Sequence, residues 1–222
     1  MRNLSFEVAP GEITALMGLS GCGKSTLCYC LNGIIPHSWG GALEGSVLVN
    51  GQNTRDLGVA SLALEVGLVF QDPDSQLFSP TVEDEIAFAP ENMCLPRQRI
   101  RERVEEVINL LGINSLREAN PYQLSGGEKH LVALGAVLAL DPPILVLDEV
   151  LSQLDHTGKK RIADVLEKLR QRGKAIIMVE HDLETVAIAD RLMIMENGEI
   201  VRFDRRESIL ADPGFLAAGN LV

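Results

Sequence analysis

The residues best suited to chemistry lie near the start of the chain, where residues 18–26 read Gly-Leu-Ser-Gly-Cys-Gly-Lys-Ser-Thr. This stretch fits the phosphate-binding pattern G-x-x-x-x-G-K-[ST] at every fixed position. Its glycines let successive backbone N–H groups turn toward an anion, Lys24 reaches the β- and γ-phosphates, and the Ser25 hydroxyl is placed to ligate Mg²⁺. We therefore expect a nucleotide site here. The residues expected to hold it are Gly18, Ser20, Gly21, Cys22, Gly23, Lys24, Ser25 and Thr26.

The elements on either side support this interpretation. Residues 12–17 are an apolar run that predicts a buried strand, and residues 25–31 predict the start of a helix. The positive end of that helix would face the phosphates. A glycine-rich turn could match the pattern by chance, but strand, loop and helix follow one another in the order that the motif requires.

Three further apolar runs, residues 66–70, 144–147 and 175–179, predict strands that alternate with helices. Such alternation forms a mostly parallel sheet, so the fold class is α/β, with active residues expected at the carboxyl ends of the strands. Polar residues do follow these strands directly. They are Gln71, the pair Asp148 and Glu149, and His181.

These polar residues suit one phosphate site. Asp148 would hold Mg²⁺ through its water shell, and Glu149 is then free to accept a proton from the attacking water. For the two acids alone, a solvated acidic turn is an equal alternative. A lone histidine is more often a core residue, and His181 gains interest because its strand follows the acidic pair. Gln71 by itself would predict nothing.

The remaining patterns predict hairpins and amphipathic helices. Leu4, Phe6 and Val8 alternate with polar residues, which predicts a half-buried strand. Asn-Gly turn signals predict hairpins, and helical spacing of apolar residues predicts helices. The predicted hairpin strands include residues 46–49, 192–195 and 199–203, and the predicted helices are residues 97–111, 129–140 and 158–172, with another beginning at Thr81.

Composition bounds the function classes. The chain has 222 residues and a net charge of −11, which indicates one domain and argues against a nucleic-acid-binding surface. Its four cysteines lack zinc-type spacing and predict reduced thiols in a cytosolic protein. Cys22 is either open to alkylation or buried as a small hydrophobe. No apolar run approaches the length that spans a bilayer, so we expect any membrane association to be peripheral.

The order of these motifs resembles the ATP-binding cassette (ABC) ATPase family over nearly the whole chain. The matching segments are residues 18–26 for its Walker A motif, Gln71 for its Q-loop, residues 124–128 for its signature, residues 144–149 for its Walker B motif with the catalytic glutamate, residues 152–155 for its D-loop, and His181 for its switch histidine.

The resemblance implies a P-loop NTPase fold with a mostly parallel core sheet, an antiparallel β subdomain and a helical signature subdomain. It divides the single domain into two lobes, a nucleotide-binding core of residues 1–78 and 144–222 and a helical lobe of residues 79–143. The family's first strand, whose aromatic residue stacks on adenine, should precede Leu4 and is not found in this sequence, while Phe6 is expected in the core.

The resemblance also implies roles for residues. It implies that the nucleotide is ATP and the metal is Mg²⁺. The implied catalytic residues are Glu149, His181 and Gln71, and the implied metal site contains Ser25, Gln71 and Asp148. In this family the signature of one subunit binds the γ-phosphate held by another in a head-to-tail dimer. The residues expected to contact the nucleotide in this way are Ser125, Gly126, Gly127 and Asp155, although Asp155 also suits a helix N-cap.

Residues 71–88 are similar to the energising ATPases of energy-coupling factor (ECF) and cobalt-type transporters, which import vitamins and transition-metal ions. This resemblance implies a homo- or heterodimeric partner ATPase, integral membrane subunits, no nucleic acid, and a cytoplasmic position on the inner face of the cell membrane. Residues 72–88, with Gln76, Leu77 and Phe78 as an apolar patch, are expected to contact a membrane subunit, unless Leu77 and Phe78 simply pack the helical lobe.

Several positions depart from the family pattern. Glu128 replaces a glutamine, His130 and Leu131 replace basic and glutamine residues, and Val150 replaces a proline. Two other functions are weighed against the importer ATPase. A soluble cassette ATPase acting on nucleic acid or chromosomes is disfavoured by the acidic charge, and a nucleotide-binding regulatory module without turnover is disfavoured by Glu149 with His181.

Overall fold

A mostly parallel sheet forms the centre of the computed structural model, which describes residues 1–212 and 214. The strands are β1 (Ile13–Met17), β2 (Leu48–Val49), β3 (Gln52–Asn53), β4 (Val66–Val69), β5 (Ile144–Asp148), β6 (Ala175–Val179), β7 (Arg191–Glu196) and β8 (Glu199–Arg205). The sheet order is β4-β5-β6-β1-β7-β8, in which the neighbours from β4 to β7 run parallel and β8 runs antiparallel to β7. The predicted α/β class is confirmed.

Helices connect and cover the strands. They are α1 (Lys24–Leu31), α2 (Ile34–His37), α3 (Val59–Glu65), α4 (Val82–Asn92), α5 (Arg97–Leu111), α6 (Gly126–Leu138), α7 (His156–Gln171) and α8 (Arg206–Leu210). The prediction for α5 is confirmed at both ends. Helices α6 and α7 begin earlier than predicted because the side chains of Ser125 and Asp155 cap them. Within the described residues, no helix combines the length and apolar character needed to cross a membrane.

The sheet is buried on both faces, which explains why its strands are continuous apolar runs. Ile13, Ala15 and Met17 of β1 belong to a core cluster with residues of helices α4 to α7. Leu16 belongs to a second cluster on the opposite face, with residues of α1. The helices of residues 79–143 thus share a core with the sheet, and the division into two lobes stays a prediction.

The predicted strand at Leu4, Phe6 and Val8 is wrong. These side chains are half-buried and alternate with exposed neighbours, as predicted, and they pack against the second core cluster. However, the backbone of residues 4–8 pairs with no strand in the described part of the chain. The alternating burial of these side chains indicates an extended chain on an apolar surface. A strand also needs a neighbouring backbone with which it can pair. Phe6 meets Phe203 edge to face at 6.3 Å, consistent with the expected packing role.

Both predicted hairpins are present. The turn between β2 and β3 has Asn50 and Gly51 at φ 48° and 79°, as a type I′ turn requires. Asn197 and Gly198 connect β7 to β8 with φ of 49° and 80°. The first hairpin is shorter than predicted, since its first strand contains two residues, Leu48–Val49.

Candidate functional site

The phosphate-binding loop lies between β1 and α1. Gly18 has a φ of 150°, and a Cβ atom there would lie 2.2 Å from the carbonyl oxygen of Met195 on β7. Only glycine allows the loop to pass this close to the neighbouring strand. Gly23, with a φ of 109°, forms the left-handed N-cap of α1. The strand, loop and helix predicted from the sequence are therefore in place.

Lys24 lies buried at the base of this loop. Its Nζ atom donates to the carbonyl oxygens of Gly18 at 2.7 Å and Leu19 at 3.2 Å. The charge is thus held where the motif requires a phosphate contact. Cys22 is buried, with 8% of its surface exposed, which favours the small-hydrophobe alternative.

The other predicted loop residues line its rim. Ser20, Gly21 and Thr26 are exposed, and Ser25 is half-buried. These positions leave their polar groups open to a nucleotide.

Asp148 ends β5 with its side chain fully buried. No group in the described part of the chain forms a hydrogen bond with either of its carboxylate oxygens. Burial raises the pKa of Asp148, and the charge of Glu149 adds to this effect, while the neighbouring Ser25 hydroxyl and Lys24 lower the pKa. A buried carboxylate without partners is costly, and a bound cation would satisfy it.

This environment fits Mg²⁺. Hard cations prefer carboxylate and hydroxyl oxygens, which Asp148 and Ser25 supply side by side. Magnesium usually takes one or two protein ligands and completes its shell with water and substrate phosphates. Asp148 and Ser25 are therefore the residues that would hold the metal.

Glu149 is held between the two other predicted catalytic residues. Its Oε1 atom lies 2.5 Å from Nε2 of His181, and its Oε2 accepts from the Gln71 Nε2 at 2.7 Å. Because a carboxylate only accepts, the His181 Nε2 carries the hydrogen. Each Glu149 oxygen keeps a second lone pair, so the carboxylate can still accept a proton from a water.

The sheet order explains why these residues meet. Strands β4, β5, β6 and β1 are consecutive neighbours in the sheet. Their carboxyl ends hold, in the same order, Gln71, Asp148 with Glu149, His181 and the phosphate loop. The convergence expected from the sequence is present. The Gln71 side chain uses its amide nitrogen for the bond to Glu149. Its amide oxygen, the atom expected at the metal, takes no part in that bond.

The signature segment forms the start of α6. Ser125 is the N-cap, and its Oγ donates to Oε2 of Glu128 at 2.7 Å while its backbone N–H donates to the same oxygen at 2.9 Å. These two bonds lower the pKa of Glu128. The glutamate that departs from the family pattern therefore completes a capping box.

The departure at His130 also has a structural role. Its Nδ1 lies 2.9 Å from the Gly126 carbonyl oxygen and its Nε2 lies 3.2 Å from the Gln71 carbonyl oxygen. Lys129 adds an ion pair to Asp74 at 2.6 Å. The signature helix is thus tied to the loop that contains Gln71.

The structure does not bring the signature to the phosphate loop of the same chain. In residues 1–212, no hydrogen bond joins Ser125, Gly126 or Gly127 to that loop. Gly127 instead faces Leu154, and Asp155 caps α7 by accepting from the Gly158 N–H at 2.8 Å. The N-cap alternative for Asp155 is therefore present in the structure.

The run after Gln71 divides between core and surface. Leu77 is 2% exposed and belongs to the core, so the expectation of Leu77 in a surface patch is wrong. Phe78 is 54% exposed and meets Phe88, 43% exposed, edge to face at 4.5 Å. Glu85 accepts from the backbone N–H groups of Phe78 and Ser79 at 2.8 and 2.7 Å, which fixes this aromatic pair on the surface.

Sequence reasoning missed Glu180, which is fully buried between Val179 and His181. Its Oε1 accepts from the backbone N–H of Leu151 at 2.9 Å. An acidic residue type directly after a buried strand was the available signal, but its partner lies in the loop after another strand and could not be found from spacing.

Comparisons with known proteins agree with this geometry. The profile of the family described as "ABC transporter" matches residues 1–152. An ABC transporter ATP-binding protein of Pyrococcus abyssi is 42% identical over 218 residues, which are 97% of this chain and 78% of that protein. One of Methanosarcina acetivorans is 44% identical over 90% of this chain but only 32% of its own length. The chain thus spans about a third of that relative.

Solved structures show the same fold. The cbiO1 protein of Clostridium perfringens, described as part of the ABC transporter complex cbiONQ, has a TM-score of 0.80 and 33% identity over 100% of this chain and 88% of its own. The ATP-binding cassette MJ0796, solved as a dimer with ADP and Pi, has a TM-score of 0.82 and 26% identity over 92% of this chain and 90% of its own. The chain therefore belongs to the ABC transporter family, as an ATP-binding cassette with a P-loop ATPase fold that uses ATP and Mg²⁺.

Proposed function

We propose that this chain is the ATP-hydrolysing subunit of a membrane importer of a vitamin or transition-metal ion, driven by ATP-dependent closure of a head-to-tail dimer. The observation that carries the proposal is the Glu149 carboxylate, which lies between Gln71 and His181 and beside the buried Asp148, whose oxygens accept no hydrogen bond from the residues that the structure describes. This is an arrangement for hydrolysis rather than for binding alone.

Each residue of this cluster has a distinct task. Lys24 and the loop N–H groups bind the phosphates, and Mg²⁺ held by Asp148 and Ser25 would neutralise charge on them. Glu149 accepts the proton of the attacking water. His181 and Gln71 fix the direction of the Glu149 carboxylate through their bonds to its two oxygens.

The signature supports a dimer. Ser125 opens a helix whose first N–H groups suit an anion, yet Ser125 makes no bond to the phosphate loop within residues 1–212. A second anion site without a metal is best explained by a phosphate held on a facing subunit. The MJ0796 cassette, solved as a dimer, supports this assignment.

The aromatic pair Phe78 and Phe88 supports a membrane partner. Their rings are exposed and held in place by Glu85, close in sequence to Gln71. Exposed apolar groups on a rigid support mark interaction surfaces. The likeness to cbiO1, described as part of a transporter complex, favours integral membrane subunits and a position on the inner face of the membrane.

The experiment is affinity capture of the tagged chain from detergent-solubilised membranes, beside a gel-shift assay with DNA and RNA. We expect integral membrane proteins to co-purify and no nucleic-acid shift at physiological salt. A salt-resistant shift without membrane partners would contradict the importer assignment and favour a cassette ATPase that acts on nucleic acid.

A further inference from the structure

Glu180 connects two segments of the catalytic site. It follows β6 and precedes His181, and its side chain is fully buried. Its Oε1 accepts from the N–H of Leu151, the first residue of the short 3₁₀ turn Leu151–Gln153. That turn comes two residues after Glu149. The bond therefore crosses from the strand that positions His181 to the backbone that positions Glu149.

The backbone of Glu149 needs such support. Its φ is 56°, in the left-handed region that costs a non-glycine residue free energy. A strained residue persists only where its surroundings hold it in place. Two further bonds do so, because the Glu149 N–H donates to the Val179 carbonyl at 3.1 Å and the Ser152 hydroxyl donates to the Glu149 carbonyl at 3.0 Å.

We infer that Glu180 is a positioning residue for hydrolysis, which holds the turn after Glu149 by accepting the Leu151 N–H and so keeps the Glu149 carboxylate aimed at the attacking water. The inference rests on the proposed role of Glu149 as the base. It assigns to Glu180 an effect on turnover and none on nucleotide binding, because its bond is to backbone that does not belong to the phosphate loop.

The chemistry of the carboxyl group agrees with this role. Burial is the main reason why the pKa of Glu180 rises to about 8; the charges of Asp182 and Glu149 contribute to the rise, and the Leu151 N–H bond and Lys159 oppose it. At neutral pH the group is therefore an uncharged acid, and its Oε1 acts as a carbonyl-like acceptor. Glutamine reproduces that shape and that acceptor.

The experiment compares three variants by their kcat for phosphate release and their Kd for ATP. Glu180→Gln keeps the acceptor at the same reach and should retain at least half of the parental kcat. Glu180→Met removes the acceptor, and Glu180→Asp withdraws it by one methylene. Both should lose at least about tenfold in kcat, since small displacements of catalytic groups are costly, with Kd changed less than about twofold.

Lys174→Met is the matched control. Lys174 is also buried and lies just before the opposite end of β6, where it donates to the carbonyl oxygens of Asp141 and Pro142. Its loss should lower stability without the selective fall in kcat. Glu149→Gln serves as the reference, because parental turnover in that variant would refute the base itself rather than the role of Glu180.

The order of the variants decides the outcome. If Glu180→Met retains parental kcat, or if Glu180→Gln falls as far as Glu180→Asp, the inference is overturned. If Glu180→Met does not fold, the comparison of Glu180→Gln with Glu180→Asp still decides, because the inference requires the charge-free variant to be the more active.

Discussion

His181 and Glu149 are joined by a 2.5 Å contact between Nε2 and Oε1, although 31 residues separate them in the chain. The contact exists because β5 and β6 are parallel neighbours whose carboxyl ends meet. The Glu149 carboxylate accepts from the imidazole N–H, and this bond fixes the direction of the carboxylate. In the proposed hydrolysis, this orientation aims the Glu149 carboxylate at the attacking water.

Asp148→Asn should lower Mg²⁺-dependent activity without lowering the stability of the fold. Without the carboxylate, Mg²⁺-dependent phosphate release should fall by at least ~10²-fold, because the metal loses its charged ligand. In EDTA, urea unfolding should give the variant a higher free energy of unfolding than the parent, by on the order of 1 kcal/mol. The reason is that the substitution removes a buried acid whose oxygens accept no hydrogen bond from the described residues. Parental turnover at saturating Mg²⁺ would exclude Asp148 as the metal ligand.

Phe78→Ser should weaken the membrane interaction. Loss of a central exposed aromatic should reduce co-purification with membrane subunits by roughly tenfold or more. Thermal unfolding should show a cost of no more than about 1 kcal/mol, the scale of one aromatic pair. The control is Leu210→Ser, because Leu210 is also an exposed apolar residue but lies on α8, away from Phe78 in the sequence. Equal loss of partners in both variants would argue against a specific surface at Phe78.

Ser125→Arg should prevent dimer closure. ATP offers a γ-phosphate to both subunits and ADP does not, so a hydrolysis-blocked Glu149→Gln chain should sediment as a dimer in ATP and as a monomer in ADP. Adding Ser125→Arg should keep ATP binding but abolish the dimer. If the double variant dimerises as well as the single one, Ser125 is not at the interface.

Glu180→Gln should change how stability depends on pH. The ordinary pKa of the carboxyl is 4.5 and burial raises it to about 8, so the folded state binds more protons between these values. Through this group the parent loses stability as the pH rises from about 5 to 8, by on the order of 1 kcal/mol per pH unit, and the glutamine variant lacks this contribution. Urea unfolding at several pH values measures this. A difference between the two proteins that is independent of pH would show that Glu180 does not titrate in this range.

Local patterns account for the part of the fold that could be predicted. The phosphate loop between β1 and α1 follows from glycine positions and an apolar run, and α5 follows from helical spacing that ends at Gly112, whose φ is 64°. The approach of Gln71, Glu149 and His181 followed from one rule, that parallel strands end at the same edge of a sheet.

Long-range packing accounts for what could not be predicted. Leu77 and Phe78 are adjacent and both apolar, yet one is in the core and the other at the surface. The alternation at Leu4 to Val8 indicated an extended chain but did not show whether another strand pairs with it. Glu180 has a partner 29 residues away, and no periodicity relates the two.

The most direct test of the central claim is phosphate release by Glu149→Gln, measured together with ATP affinity on the same preparation. If Glu149 is the general base, turnover should fall by at least ~10²-fold while the Kd for ATP stays within about twofold of the parent. Glu102→Gln, which replaces a carboxylate on α5 that pairs with Arg99, should leave both quantities unchanged. A Glu149→Gln protein that releases phosphate at the parental rate would contradict the account.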